Sequence, residues 1–166
     1  MLERLVEIQA RLNPDSVKLA SACHRLATQC WRIAYFEQGK PYAERCLLLQ
    51  EKLMGKDSLE VSDTNSLLAL TLFGLNQLED AERCMYLSLK IREGCVGKDH
   101  PTVAEALLSM GKILLRQGKM EEARDYQLRA NKLMGARTRK NIRTMKDSDM
   151  PVHAGEAQNG APQSGS

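Results

Sequence analysis

The chain has 166 residues, 43% of them hydrophobic and 27% charged, the balance of one ordinary globular domain. A formal net charge of +3 is too small to make nucleic acid an expected partner, and no apolar run approaches the ~20 residues of a membrane span. The charged start MLERLVEIQARLN is not a signal peptide, and five cysteines without a CxxC pair fit a reducing, cytoplasmic setting. Aromatics are only 4% while Leu, Met and Ala abound, which favours helices over strands.

Residues 1–12 read as a lone helix resembling Leu87 to Val96, without a partner helix in the chain. It is either an N-terminal cap or, the preferred reading, the edge of a longer repeat array in a splice form or fragment. An unpartnered repeat edge exposes apolar surface, which offers a route to homo-oligomers. Next come three units, 13–54, 55–96 and 97–135. They open on Asn13-Pro14-Asp15-Ser16, Gly55-Lys56-Asp57-Ser58 and Gly97-Lys98-Asp99-His100, spaced 42 residues apart twice. Asn13, Gly55 and Gly97 suit a left-handed stop, and the Asp or Ser that follows can cap the next helix. Pro101 suits a first helical position.

Within each unit the spacing predicts two helices. In the third, the first helix carries Val103, Ala106, Leu107, Met110 and Leu114. The turn is Gln117-Gly118-Lys119. The second helix carries Met120, Ala123, Tyr126, Ala130 and Leu133. Leu19, Val61 and Val103 match between units, as do Leu26, Leu68 and Met110, and Trp31, Phe73 and Leu115. Small residues recur at Ala27, Ala69 and Gly111 on the first helix and at Ala43, Ala81 and Ala123 on the second, where helices must approach closely. Ala27 to Ala43 is longer by four residues than the matching intervals. That predicts a first unit whose first helix is one turn longer and whose second is one turn shorter.

The phrases GKDHPTVAEALLSMGKILLRQGKMEEARDYQLRA (97–130), GKDSLEV and LLALTLFGLNQLEDAERCMYLSLKI resemble the tetratricopeptide repeat, in the 42-residue variety of kinesin light chains and nephrocystin-like proteins. The resemblance covers roughly residues 1–135. It implies an all-α fold, a right-handed superhelical stack of antiparallel helical hairpins. It also implies a concave face that binds a peptide or helical partner in a non-catalytic scaffold or adaptor. Where kinesin light chains carry a peptide-gripping Asn, two residues before the small residue, this chain has Arg25, Leu67 and Ser109. A methyltransferase family with SET and MYND modules has a similar helical domain. The alternative expectation is therefore an accessory domain or fragment of such a protein, although nothing here resembles its catalytic part.

Groove positions implied by the family are Ser21, His24, Thr28, Trp31 and Arg32 in the first unit. They are Asp63, Ser66, Leu70, Phe73 and Gly74 in the second, and Glu105, Leu108, Lys112, Leu115 and Arg116 in the third. On this reading Trp31, Phe73 and Leu115 form an apolar floor while Arg32, Lys112 and Arg116 attract a carboxylate-bearing peptide; otherwise the aromatics simply pack between repeats.

No catalytic frame, metal site or cofactor is expected. Cys23, His24 and Cys30 lack zinc-like spacing, and buried cysteine is ordinarily a small hydrophobe. His100 reads as a turn or cap residue. GKD lacks the second Gly and the Ser or Thr of a phosphate loop. Glu79, Asp80, Glu82, Glu121 and Glu122 sit at helix starts, where they favour the helix dipole.

Residues 136–146 hold Arg137, Arg139, Lys140, Arg143 and Lys146 with no acid, and are expected to extend the last helix. Residues 147–166 are polar, small and low in apolar content, and are expected to be disordered.

Overall fold

The computed structural model describes residues 2–148. Among them the chain forms seven α-helices and no strand. They are α1 (Leu2–Leu12), α2 (Val17–Arg32), α3 (Phe36–Met54), α4 (Leu59–Gly74), α5 (Leu78–Val96), α6 (Pro101–Arg116) and α7 (Met120–Ser148). Each helix packs on the next in sequence, and α4 also touches both α2 and α6. This is an all-α stack of helical hairpins, α2/α3, α4/α5 and α6/α7, with α1 laid against α2. The sequence expectation of disorder falls mostly on residues 149–166, which lie outside the described residues; 147 and 148 are helical, within α7.

Starts and stops of the helices follow the linker phrases. Ser16 and Ser58 accept the N–H groups of Leu19 and Val61 at 3.1 and 3.3 Å. His100 caps α6 by accepting from the Thr102 N–H at 3.3 Å, with Pro101 at the helix's first position. Gly55 and Gly97 both have φ +87°, with ψ 158° and 155°, a region essentially confined to glycine. Asn13 does not take the positive φ expected of it. Pro14 follows it, and a residue before proline is pushed to extended backbone. The turn inside each hairpin supplies another left-handed position instead: Ala34, Asn76 and Gly118, at φ 59°, 61° and 81°.

The predicted one-turn difference in the first unit is absent. α2, α4 and α6 each have 16 residues, and α3 and α5 each have 19. The close-approach residue of α3 is Gly39, 42 positions before Ala81, rather than Ala43. A Cβ at Gly39 would lie 2.8 Å from Cys30 Cβ, so a larger residue would force the two helices apart. Met120, expected on the apolar face of α7, is exposed.

Leu19, Val61 and Val103 are fully buried, as are Ala27, Ala69 and the helix-facing Ala123 and Ala130. One core joins the second and third hairpins through Leu68, Met85, Leu107 and Met110; a second lies under α1, α2 and α3 around Val6, Leu19, Cys23 and Cys46. At the α1 edge Ile8, Leu12 and Val17 are exposed.

Candidate functional site: the groove along the first helices

The first helix of each hairpin turns one face to a shared groove of about 550 Å³. α2 contributes His24, Thr28 and Trp31. α4 contributes Leu59, Asp63, Ser66, Leu67 and Leu70. α6 contributes Thr102, Glu105, Ala106 and Ser109, and Arg92, Val96 and His100 close one end. The groove therefore brings together seven of the residues expected from sequence: His24, Thr28, Trp31, Asp63, Ser66, Leu70 and Glu105. Arg32, Phe73, Leu108, Lys112, Leu115 and Arg116 do not line it. Phe73 and Leu108 pack half-buried against the core, and Leu115 is exposed. Arg116 stands 5.0 Å from the centre of the Phe73 ring and donates to Asn76 Oδ1 at 3.2 Å, across the second and third hairpins. Arg32 and Lys112 are exposed. Gly74 and Ser21 also lie outside the groove, although Ser21 lines a shallower depression shared with His24 and Asp63.

Two buried polar knots underlie the groove. Between the first and second hairpins, the Thr64 hydroxyl donates to Gln50 Oε1 at 2.6 Å and lies 3.1 Å from His24 Nδ1. Cys46 Sγ donates to the Ala20 carbonyl at 3.2 Å beside it. Burial holds the His24 pKa below its ordinary value, with Asp63 opposing the effect. Burial pushes the Cys46 thiol up to about 11, so it is an inert packing group. Burial likewise raises Cys23 and Cys30.

Between the second and third hairpins the knot is Arg92. Its side chain is only 9% exposed. It donates to Asp63 Oδ1 at 2.5 Å, to the Thr102 carbonyl at 3.1 Å and to Ser62 Oγ at 3.3 Å. Ser62 in turn donates to the Ser88 carbonyl at 2.9 Å, and the Ser66 and Ser88 hydroxyls are 2.6 Å apart. Gln50 and Arg92 are 42 residues apart and equally buried, at 7% exposed, so the same repeat position ties each hairpin to the next. The sequence reading overlooked Arg92. A signal was present, since Ala81, Met85, Ser88 and Arg92 recur at helical spacing on one face of α5.

Among the described residues, no three His, Cys, Asp or Glu side chains gather as metal ligands, and no helix is long and apolar enough to cross a membrane.

Successive look-alike hairpins with a groove along their first helices define a helical-repeat solenoid. Residues 60–134 match the family model of the tetratricopeptide repeat. Crystal structures agree on the fold. BtubC (BKLC) from P. vanneervenii has a TM-score of 0.73 and 19% identity, over 98% of this chain and 62% of that one. The nearly identical TPR-like repeats of a Podosopora anserina protein, provisionally assigned as a kinesin light chain, give 0.71 and 17% identity over 83% and 66%. A singly substituted form of the latter gives 0.72 at the same identity and coverage. Residues 60–134 thus match tetratricopeptide repeats, and the chain spans less than two thirds of the length of the first of these structures and about two thirds of the others. No curated protein matches its sequence.

Proposed function

We propose that this protein is a non-catalytic scaffold or adaptor that holds a peptide or a helical segment of a partner protein in the groove along α2, α4 and α6. Repeats of this kind generally mediate protein–protein interaction. The observation that carries the reading is the groove itself. Three consecutive first helices converge on it, and its floor keeps Trp31 37% exposed with Leu70 half-buried beside it. A large aromatic left partly open in a concave, otherwise well-packed surface is the kind of anchor on which interfaces concentrate their binding energy.

Affinity capture with the full chain tests the proposal, comparing wild type with Trp31→Ala and Leu70→Lys. Both positions face the groove, so partners retained by wild type should be lost from both variants while far-UV circular dichroism stays unchanged. An identical set of partners from all three proteins would move the binding surface elsewhere.

A further inference from the structure

Hydrogen bonds have direction, and their direction in the groove decides what is left for a partner. Arg92, the one Lys or Arg among the described residues that line the groove, is spent on Asp63, Ser62 and the Thr102 carbonyl. The hydroxyls of Thr28 and Ser109 donate to the carbonyls of His24 and Glu105, at 2.8 and 3.0 Å. A hydroxyl has one hydrogen, so each of these offers a ligand only lone pairs. The same logic fixes His24. Thr64 gives its hydrogen to Gln50, so its oxygen accepts from His24 Nδ1–H, and His24 Nε2 is left as a lone pair. Arg92 engages Oδ1 of Asp63 and leaves Oδ2, while Glu105 is exposed. At the rim His100 runs the other way, since its Nδ1 accepts from the Thr102 N–H. Two carboxylates face one guanidinium, so the lining is net negative with the histidines neutral.

An acceptor-rich, net-negative trough with an apolar floor selects a donor that carries positive charge. We infer that the groove receives its partner through a lysine or arginine side chain set between apolar residues. The cation lies against Glu105, Asp63 Oδ2 and His24 Nε2, and the flanking apolar side chains rest on Trp31, Leu70 and Val96. This rests on the groove reading proposed above. It reverses the carboxylate-bearing ligand expected from Arg32, Lys112 and Arg116, none of which lines the groove.

Trp31 is the only tryptophan in the chain, so its emission reports directly on the site. Three short acetylated, amidated peptides, identical except for Lys, Gln or Glu at a central position between leucines, would be titrated into the full chain. The Lys peptide should bind roughly fivefold more tightly than the Gln peptide, the size of one partly exposed ion pair, and the Glu peptide most weakly. The preference should shrink with added salt and disappear in Glu105→Gln. Equal affinities, a preference for Glu, or a Lys preference that survives in Glu105→Gln would overturn the cation while leaving a peptide groove in place. No saturable change in Trp31 emission with any of the three would overturn the groove reading with it.

Discussion

Ala34, Asn76 and Gly118 occupy one turn position in three successive hairpins, and all have positive φ. Only at Ala34 does an ordinary Cβ bear that strain. A left-handed non-glycine residue costs roughly 1–2 kcal/mol, against which glycine's extra freedom in the unfolded chain must be set. Ala34→Gly should therefore stabilise the protein by about 0.5 kcal/mol or slightly more. Urea unfolding checks this, and a loss of stability would show that the strain is not there. His24 supplies a pH dependence of definite sign. Burial disfavours its protonated form in the fold, whereas the unfolded chain takes up that proton near 6.5. The unfolded state then binds more protons, so this contribution is fully present above pH 6.5 and is lost as pH falls toward the lower folded value. Unfolding free energies measured across that window should decline in wild type and flatten in His24→Gln. A wild-type profile no steeper than that of the variant would contradict the assignment.

At the scale of helices, the joints between hairpins are as informative as the hairpins. Arg92 reaches from α5 to α4 and to the first turn of α6 by three donated hydrogen bonds. Arg92→Met keeps bulk but removes all three, and hydrogen bonds from charged groups are worth more than neutral ones. The expected loss is about 2 kcal/mol, moderated because Asp63 is 63% exposed and can rehydrate. Arg92→Lys should restore little of it, since one ammonium cannot replace a planar fork spanning three acceptors. Equilibrium denaturation of the two variants decides; wild-type stability in Arg92→Met would make the joint ornamental. Much of this scale was legible in sequence. Caps, linker glycines and small residues at helix crossings act locally, so their 42-residue recurrence could be read directly. The misplacement of the α3 crossing at Ala43 has an equally physical cause. Residues four apart share a helix face, so a match one turn out of register preserves the whole apolar pattern. The Gly39–Cys30 approach and the equal lengths of corresponding helices distinguish the two registers.

Across the whole molecule, a solenoid's shape is set by how each unit leans on its neighbour. Here two buried polar knots, one centred on Thr64 and one on Arg92, pin those angles where apolar contacts alone would tolerate sliding. Positions along the concave face were legible through the resemblance to tetratricopeptide repeats, which implied His24, Thr28, Asp63, Ser66, Leu70 and Glu105, all of which line the groove. Where along the stack it deepens was not. Phe73 packs half-buried against the core and Leu115 stays outside the groove, while Val96 and Thr102 line it. The central claim is that this groove holds a partner, and amide hydrogen exchange on the full chain with and without a captured partner tests it most directly. Binding should slow exchange in α2, α4 and α6, around residues 24–31, 63–70 and 105–109, and at the groove end of α5 around Arg92 and Val96, and leave α3 and residues 78–91 of α5 as they were. Protection confined to α3, to residues 78–91 of α5 or to the outer face of α7 would contradict the account.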